Sequence, residues 1–215
     1  GQADKDNFIQ SLCAKADAMV SEYRLLSARF HSDKEYDGWI GKHHTACCYG
    51  ENHWQSPSNL YEDGIVEHSS DPLAITKFKQ VCGSTPSHNN FCDIDRALQT
   101  ITHIAAAWDV NYGNDPCIDA NDGGVPYIAV AVKHGNACGA AVSSNGWEAI
   151  NGMLQGHRLS IMGGIVITNF AINVMIANHL LTSYEAEGKR RLIDSVVCPA
   201  VTKEAIGVLD RFKGK

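Results

Sequence analysis

Phe8, Leu12, Ala16, Met19, Tyr23 and Leu26 recur at the spacing of a single helix face, so the chain is expected to open with an amphipathic helix over residues 1–30. That helix should pack through the apolar face and stop before His31. Residues 31–90 lose the pattern: Gly, Pro, Ser, Asn and His are frequent, and apolar runs are as short as Gly64-Ile65-Val66. Such a segment reads as loops with short strands. A second helix follows, with Asp93 or Asp95 as its cap and Ala97, Leu98, Ile101, Ile104, Ala105 and Trp108 on one face, and it should end near Trp108.

The stretch Asn111–Gly124, rich in Asp, Asn and Gly, predicts an exposed connection. From there to the end, residues 91–215 read as an α/β core. Tyr127–Val132 is a continuous apolar run suited to a strand covered on both faces. Helices follow at Gly146–Leu154 and Ala171–Leu181, strands at Gly164–Thr168 and Ile193–Cys198. A last helix is capped by Thr202, with Ala205, Ile206, Leu209 and Phe212 inward. Strands and helices alternating at this spacing predict an α/β layered sheet with flanking helices, here within a single domain over residues 1–215.

Composition changes this picture little. Hydrophobic residues make up 44% and charged residues 20%, which is ordinary globular usage. A net charge of -6 argues against nucleic-acid binding, which wants a basic surface. Eight cysteines at irregular spacings, without a signal-peptide pattern, point to free thiols in a reducing cytoplasm. From Leu159 to Tyr184 no residue carries a formal charge, but Asn169, Asn173, Asn178 and the Gly163-Gly164 pair favour a buried strand plus helix over a membrane span.

The apolar run Tyr127–Val132 ends abruptly at Lys133-His134-Gly135-Asn136. A charged pair at a strand's carboxyl end sits where open α/β sheets place ligands. Lysine and histidine together can manage proton transfer from a weakly nucleophilic amine. Neighbours on a strand point to opposite sides unless a turn intervenes, and Gly135 and Gly139 are candidates for that turn. The same residues also fit a surface lysine beside a packing histidine.

Other chemistry is poorly supported. His43 with Cys47, and His44 with Cys48, have one-turn helical spacing, but the segment shows no clear helix and no second ligand pair, so no metal is expected. The zinc-deaminase signature fails because Pro116-Cys117 is followed by Ala120 where a second cysteine belongs. P-loop and nucleophile-elbow motifs are absent.

Five segments in order carry a resemblance: CYGENHWQSPSNLY, SHNNFCDIDRAL, YIAVAVKHGNACGAAV, SIMGGIVITN and LIDSVVCPAVTKEAIGVL. Together they resemble the AICAR transformylase domain family: its Arg-Tyr-Gly-x-Asn-Pro-His-Gln motif, its Asn-rich loop entering a helix, its Lys-His strand end, its Gly-Gly strand, and its acidic residue followed by strand and helix. The resemblance implies a cytidine-deaminase-like fold covering the first of two related subdomains, with the second, and much of the folate pocket, lying outside this match. It implies a folate-dependent N-formyltransferase that takes its formyl group from 10-formyltetrahydrofolate and passes it to a small-molecule amine.

By the same carry-over, Lys133 and His134 are the catalytic residues, and Tyr49, Gly50, Asn52, Asn90, Gly163 and Asp194 match substrate-contacting positions. Taken singly, these last fit a core tyrosine, turn residues, a packing glycine and a surface aspartate. The motif's phosphate-binding arginine is Cys48 here, and its Pro-His is His53-Trp54. A phosphoribosyl group loses a bidentate partner by that change, so an unphosphorylated or differently charged acceptor is expected, unless Lys42, His43 and His44 compensate. A homodimer or a complementary subunit is expected to complete the cleft, with neither nucleic acid nor membrane as partner. The alternative is a partner or regulatory subunit that keeps the cleft without activity of its own.

Overall fold

The computed structural model describes residues 1–63, 72–112, 126–182 and 190–210. Four sequence expectations lie outside these: the Gly64–Val66 run, the connection beyond Tyr112, the Pro116-Cys117 pair and Phe212. The chain divides into two compact units, Gly1–Cys47 with Pro57–Phe78, and Cys48–Ser56 with Lys79–Lys215.

In the first unit, α1 (Gln2–His31) is followed by an antiparallel ribbon of β1 (Gly41–Cys47) and β2 (Ser58–Asp63). The helix ends where Ser32 donates its N–H to the Ala28 carbonyl, and Asp33 and Lys34 turn the chain through the left-handed region at φ 51° and 72°. The predicted extent holds to within a residue, but no residue of α1 is buried. Phe8 is 63% exposed and Tyr23 69%, so the first unit leaves the face expected to pack uncovered.

The second unit is built on a four-stranded sheet ordered β4-β3-β5-β6: β4 (Asn136–Ser143), β3 (Tyr127–Lys133), β5 (Gly164–Thr168) and β6 (Ile193–Val197). Strand β3 runs antiparallel to both β4 and β5, and β5 runs parallel to β6. Ala129, Ala131 and Val166 join one core with α3 (Gly146–Leu154), α5 (Val174–Thr182) and α6 (Lys203–Leu209). The alternate residues Val130, Val132, Ile165 and Ile167 are also buried, toward the side where α2 (His88–Tyr112) lies against β3 and β5. Covering both faces is what an unbroken apolar strand requires. The chain is therefore mixed α/β, with its sheet flanked by helices, and the uncharged run after Leu159 supplies core strand and helix. No helix among the described residues is long and apolar enough to cross a membrane.

Helix boundaries follow caps. Asn145 accepts the Glu148 N–H ahead of α3, and Thr202 accepts the Ala205 N–H ahead of α6, as its sequence position predicts. Helix α2 starts earlier than Asp93 or Asp95 would place it. Ser87 and Asn90 form a reciprocal box, the Ser87 hydroxyl accepting from the Asn90 N–H and the Asn90 side-chain carbonyl accepting from the Ser87 N–H at 2.9 Å. Helix α5 likewise begins at Val174 rather than Ala171, because Ile172 bridges to Val201 first. A short helix α4 (Arg158–Ile161) precedes β5.

Candidate functional site

Strand β3 delivers Lys133 as its last residue, paired with Asn136 at the start of β4. Between them His134 and Gly135 form a two-residue hairpin turn at φ 52° and 73°. Positive φ at both positions is the signature of the type I′ turn, whose twist matches the flanking strands. Gly135 therefore serves the turn, whereas Gly139 does not. It lies inside β4, where an added Cβ would come within 2.2 Å of the Met153 carbonyl, so its role is the close passage of α3. The Asn136 amide donates to the His134 carbonyl at 2.8 Å, which steadies the turn from one side.

Asp93 steadies it from the other. Its carboxylate accepts the His134 N–H at 3.1 Å and the Gly135 N–H at 2.6 Å, and the residue is only 8% exposed. The sequence offers it only as one of two alternative caps of α2, beside Asp95. The signal that would have corrected it is periodicity: Asp93 lies one helical turn before Ala97 on the buried face, and a buried acid demands a partner from elsewhere in the fold.

Lys133 is half-buried, and its amine donates to the Met162 carbonyl at 2.6 Å. Gly163 follows in the left-handed region at φ 74°, and a Cβ there would stand 3.5 Å from the lysine Nζ. The Gly163 N–H donates to the Leu192 carbonyl at 2.7 Å, two residues before Asp194, which is exposed on β6. Lys133, Gly163 and the start of β6 thus meet at one edge of the sheet. Because β3 runs against β5 and β6, this edge presents the carboxyl end of β3 beside the amino ends of the other two. The rule for parallel sheets that suggested this edge therefore does not apply to it; the hairpin turn places the pair there.

Tyr49, Gly50 and Asn52 form a second group, tied to the start of α2. The Cys48 N–H donates to the Pro86 carbonyl, and the His88 N–H to the Tyr49 carbonyl at 3.0 Å. The Asn89 side-chain amide donates to the Glu51 carbonyl at 3.0 Å. Gln55 closes the loop, its carbonyl accepting the Gly50 N–H and its side chain the Asn52 N–H at 2.7 Å. The rings of Tyr49 and His53 lie 4.2 Å apart. Asn90 belongs with this group, and Asp93 stands one turn further along the same helix. Of the eight residues singled out in the sequence, the loop residues and Asn90 gather at the start of α2. Lys133, His134 and Gly163 gather at the sheet edge, with Asp194 exposed on β6 two residues beyond the Leu192 carbonyl that Gly163 binds, and Asp93, outside the eight, joins the two groups.

The basic residues before Cys48 are engaged within the β1–β2 ribbon. Lys42 pairs with Glu62 at 3.3 Å, His44 approaches the same carboxylate at 3.8 Å, and His43 meets the Asn59 side chain at 3.2 Å. The segment is a strand, so the four-residue His-Cys spacings do not span a helical turn. No group of three metal-binding side chains occurs among the described residues. Near the site, Cys138 donates to the Ala131 carbonyl, and burial pushes its thiol up from the ordinary range.

The family model described as "AICARFT/IMPCHase bienzyme" matches residues 4–215. Among curated proteins, a bifunctional purine biosynthesis protein PurH of Listeria monocytogenes serotype 4a is 30% identical over 77% of this chain and 26% of its own length. A second, from Listeria monocytogenes serovar 1/2a, is 28% identical over 93% of this chain and 33% of its own. A third, from Pediococcus pentosaceus, is 26% identical over 99% of this chain and 36% of its own. The chain thus spans 26% to 36% of the length of these three relatives.

Proposed function

The chain belongs to the AICARFT/IMPCHase bienzyme family, and from that premise we propose that it carries the catalytic pair of a folate-dependent N-formyltransferase acting on a small-molecule amine. The observation that carries this reading is the Lys133-His134 pair, held on a turn that hydrogen bonds fix from α2 and from Asn136. As the amine nitrogen bonds to the formyl carbon, that carbon's bond to the nitrogen of 10-formyltetrahydrofolate breaks. His134 takes the proton the amine loses, and the departing nitrogen takes one back. Lys133, whose amine donates to the Met162 carbonyl, is assigned to stabilising charge on the formyl oxygen. An amine conjugated to a carboxamide is a poor nucleophile and needs such a base.

Tyr49, Gly50, Asn52 and Asn90 on the α2 side, with Gly163 and Asp194 on the sheet side, are the residues proposed to hold the acceptor. Residues from a second copy of the chain or from a complementary subunit complete the folate-binding surface. The test is incubation of the purified chain with 10-formyltetrahydrofolate and a panel of amines, with mass detection of formylated product and His134→Ala as control. Absence of product with every amine would favour the second reading, a partner subunit that keeps the cleft without turnover.

A further inference from the structure

We propose that Asp93 is a positioning residue for the catalytic pair, a buried clamp that fixes the His134-Gly135 turn and sets its place relative to the acceptor-binding loop. The inference rests on the reading of Lys133 and His134 given above. Asp93 is the sixth residue of α2, too far into the helix to cap it. Its two carboxylate oxygens are divided between two consecutive N–H groups that lie 41 and 42 residues further along the chain. These are the backbone donors of the two turn residues.

His134 occupies the left-handed region at φ 52°, a conformation that costs a side-chain-bearing residue free energy and that surrounding contacts must hold. A charge-assisted pair of hydrogen bonds is well suited to that task. Asn136 binds the opposite, carbonyl side of His134, so the backbone of this residue is gripped from both directions while its imidazole remains exposed. One helical turn before Asp93, Asn90 closes the cap of α2, and the same helix start anchors the Tyr49 loop. One rigid helix therefore registers the proton acceptor against the loop. Misplacement of a reacting group by about 1 Å is enough to cost on the order of a hundredfold in rate.

Two measurements test this. In the wild-type chain, the amide resonances of His134 and Gly135 are followed by NMR as the Asp93 carboxylate is titrated with acid. Both should move with the carboxylate carbon; a Gly135 amide that stays still while Asp93 titrates overturns the clamp. Asp93→Asn, which keeps the shape but sets an NH2 group against one donor, should lower kcat by about tenfold to a hundredfold and change KM for either substrate by less than about threefold. Combined with His134→Ala it should slow the reaction no further than His134→Ala alone, because the clamp acts through the imidazole. Asp93→Asn with wild-type kcat, beside an inactive His134→Ala, would also overturn it. If Asp93→Asn does not fold, the wild-type titration decides alone. A wild-type chain that transfers no formyl group sinks the functional reading, and the titration still decides whether Asp93 holds the turn.

Discussion

His134 sits where backbone sterics favour glycine, and its neighbours Gly135 and Gly163 share that left-handed geometry at φ 73° and 74°. Alanine at either glycine should cost about 1–2 kcal/mol of stability, read from denaturant midpoints. The two differ in surroundings: nothing lies within 4 Å of a Cβ on Gly135, whereas one on Gly163 meets Lys133 Nζ. At 3.5 Å that meeting is ordinary van der Waals contact, so the cost at both positions should be that of the backbone conformation alone. His134→Ala should lower turnover by about two to four orders of magnitude in a folded protein. Unchanged turnover would remove the histidine from the mechanism. Cys48 is exposed beside Tyr49, and Cys48→Arg should tighten calorimetric binding of phosphorylated amines by restoring a fork-shaped donor. Tight, phosphate-dependent binding to the unaltered chain would contradict that expectation.

Among the elements, those whose sequence pattern and burial agree were the legible ones. Residues Tyr127–Val132 and Gly164–Ile167 run without a charged or strongly polar side chain because both faces of the sheet are covered, and α3 runs between a plain cap and the apolar residues that close it. Strand β4 was not legible: NACGAAVS has small side chains and no sustained alternation, and its pairing is set by the hairpin turn and by close helix passage. The start of α2 was hidden because His88, Asn89 and Asn90 are weak helix formers and two aspartates imitate a cap. Ser87→Ala should cost about 1 kcal/mol by opening the true cap box. It should also loosen the Tyr49 loop, read as faster amide exchange at Gly50 and Asn52. A further consequence lies between α3 and α5, where Trp147 stacks on His179 at 3.9 Å and the His179 Nε2 is buried with no hydrogen-bond partner among the described residues. Burial, and secondarily Arg191, lower the His179 pKa against an opposing pull from Glu148. The unfolded chain then binds this proton more readily than the folded one. Stability from this group is full above about pH 6.5 and falls as pH drops below it. Melts at pH 7.5 and 5.5 should show a smaller acid loss for His179→Gln than for wild type, and equal losses would mean the histidine contributes nothing to the slope.

At the scale of the whole molecule, the apolar surface that bears on association lies on α1, in the first unit. Its periodic face of Phe8, Leu12, Met19, Tyr23 and Leu26 is written like a packing face, yet nothing in the first unit covers these side chains, every one of which is more than half exposed. The uncharged run after Leu159 offers no comparable surface in its buried part, because Ile165, Val166, Ile167, Ile176, Ala177 and Leu180 belong to the core of the second unit. A helix of 30 residues is about 45 Å long and draws most of its stability in water from burying such a face. An apolar strip from Phe8 to Leu26, about 28 Å along the helix, marks an interaction surface, and a second copy of the chain offers an identical strip to match it. Association should therefore appear in light scattering as a mass of two or more chains that falls on dilution, with formyl transfer falling over the same range. Leu12→Glu combined with Met19→Glu should disperse the assembly while leaving the amide protection of β3 and β5 unchanged, since α1 contributes nothing to that sheet's pairing. A chain that scatters as a monomer at every concentration and transfers formyl groups at full rate when nanomolar would show that the cleft needs no second copy, and that the exposed face of α1 serves something else.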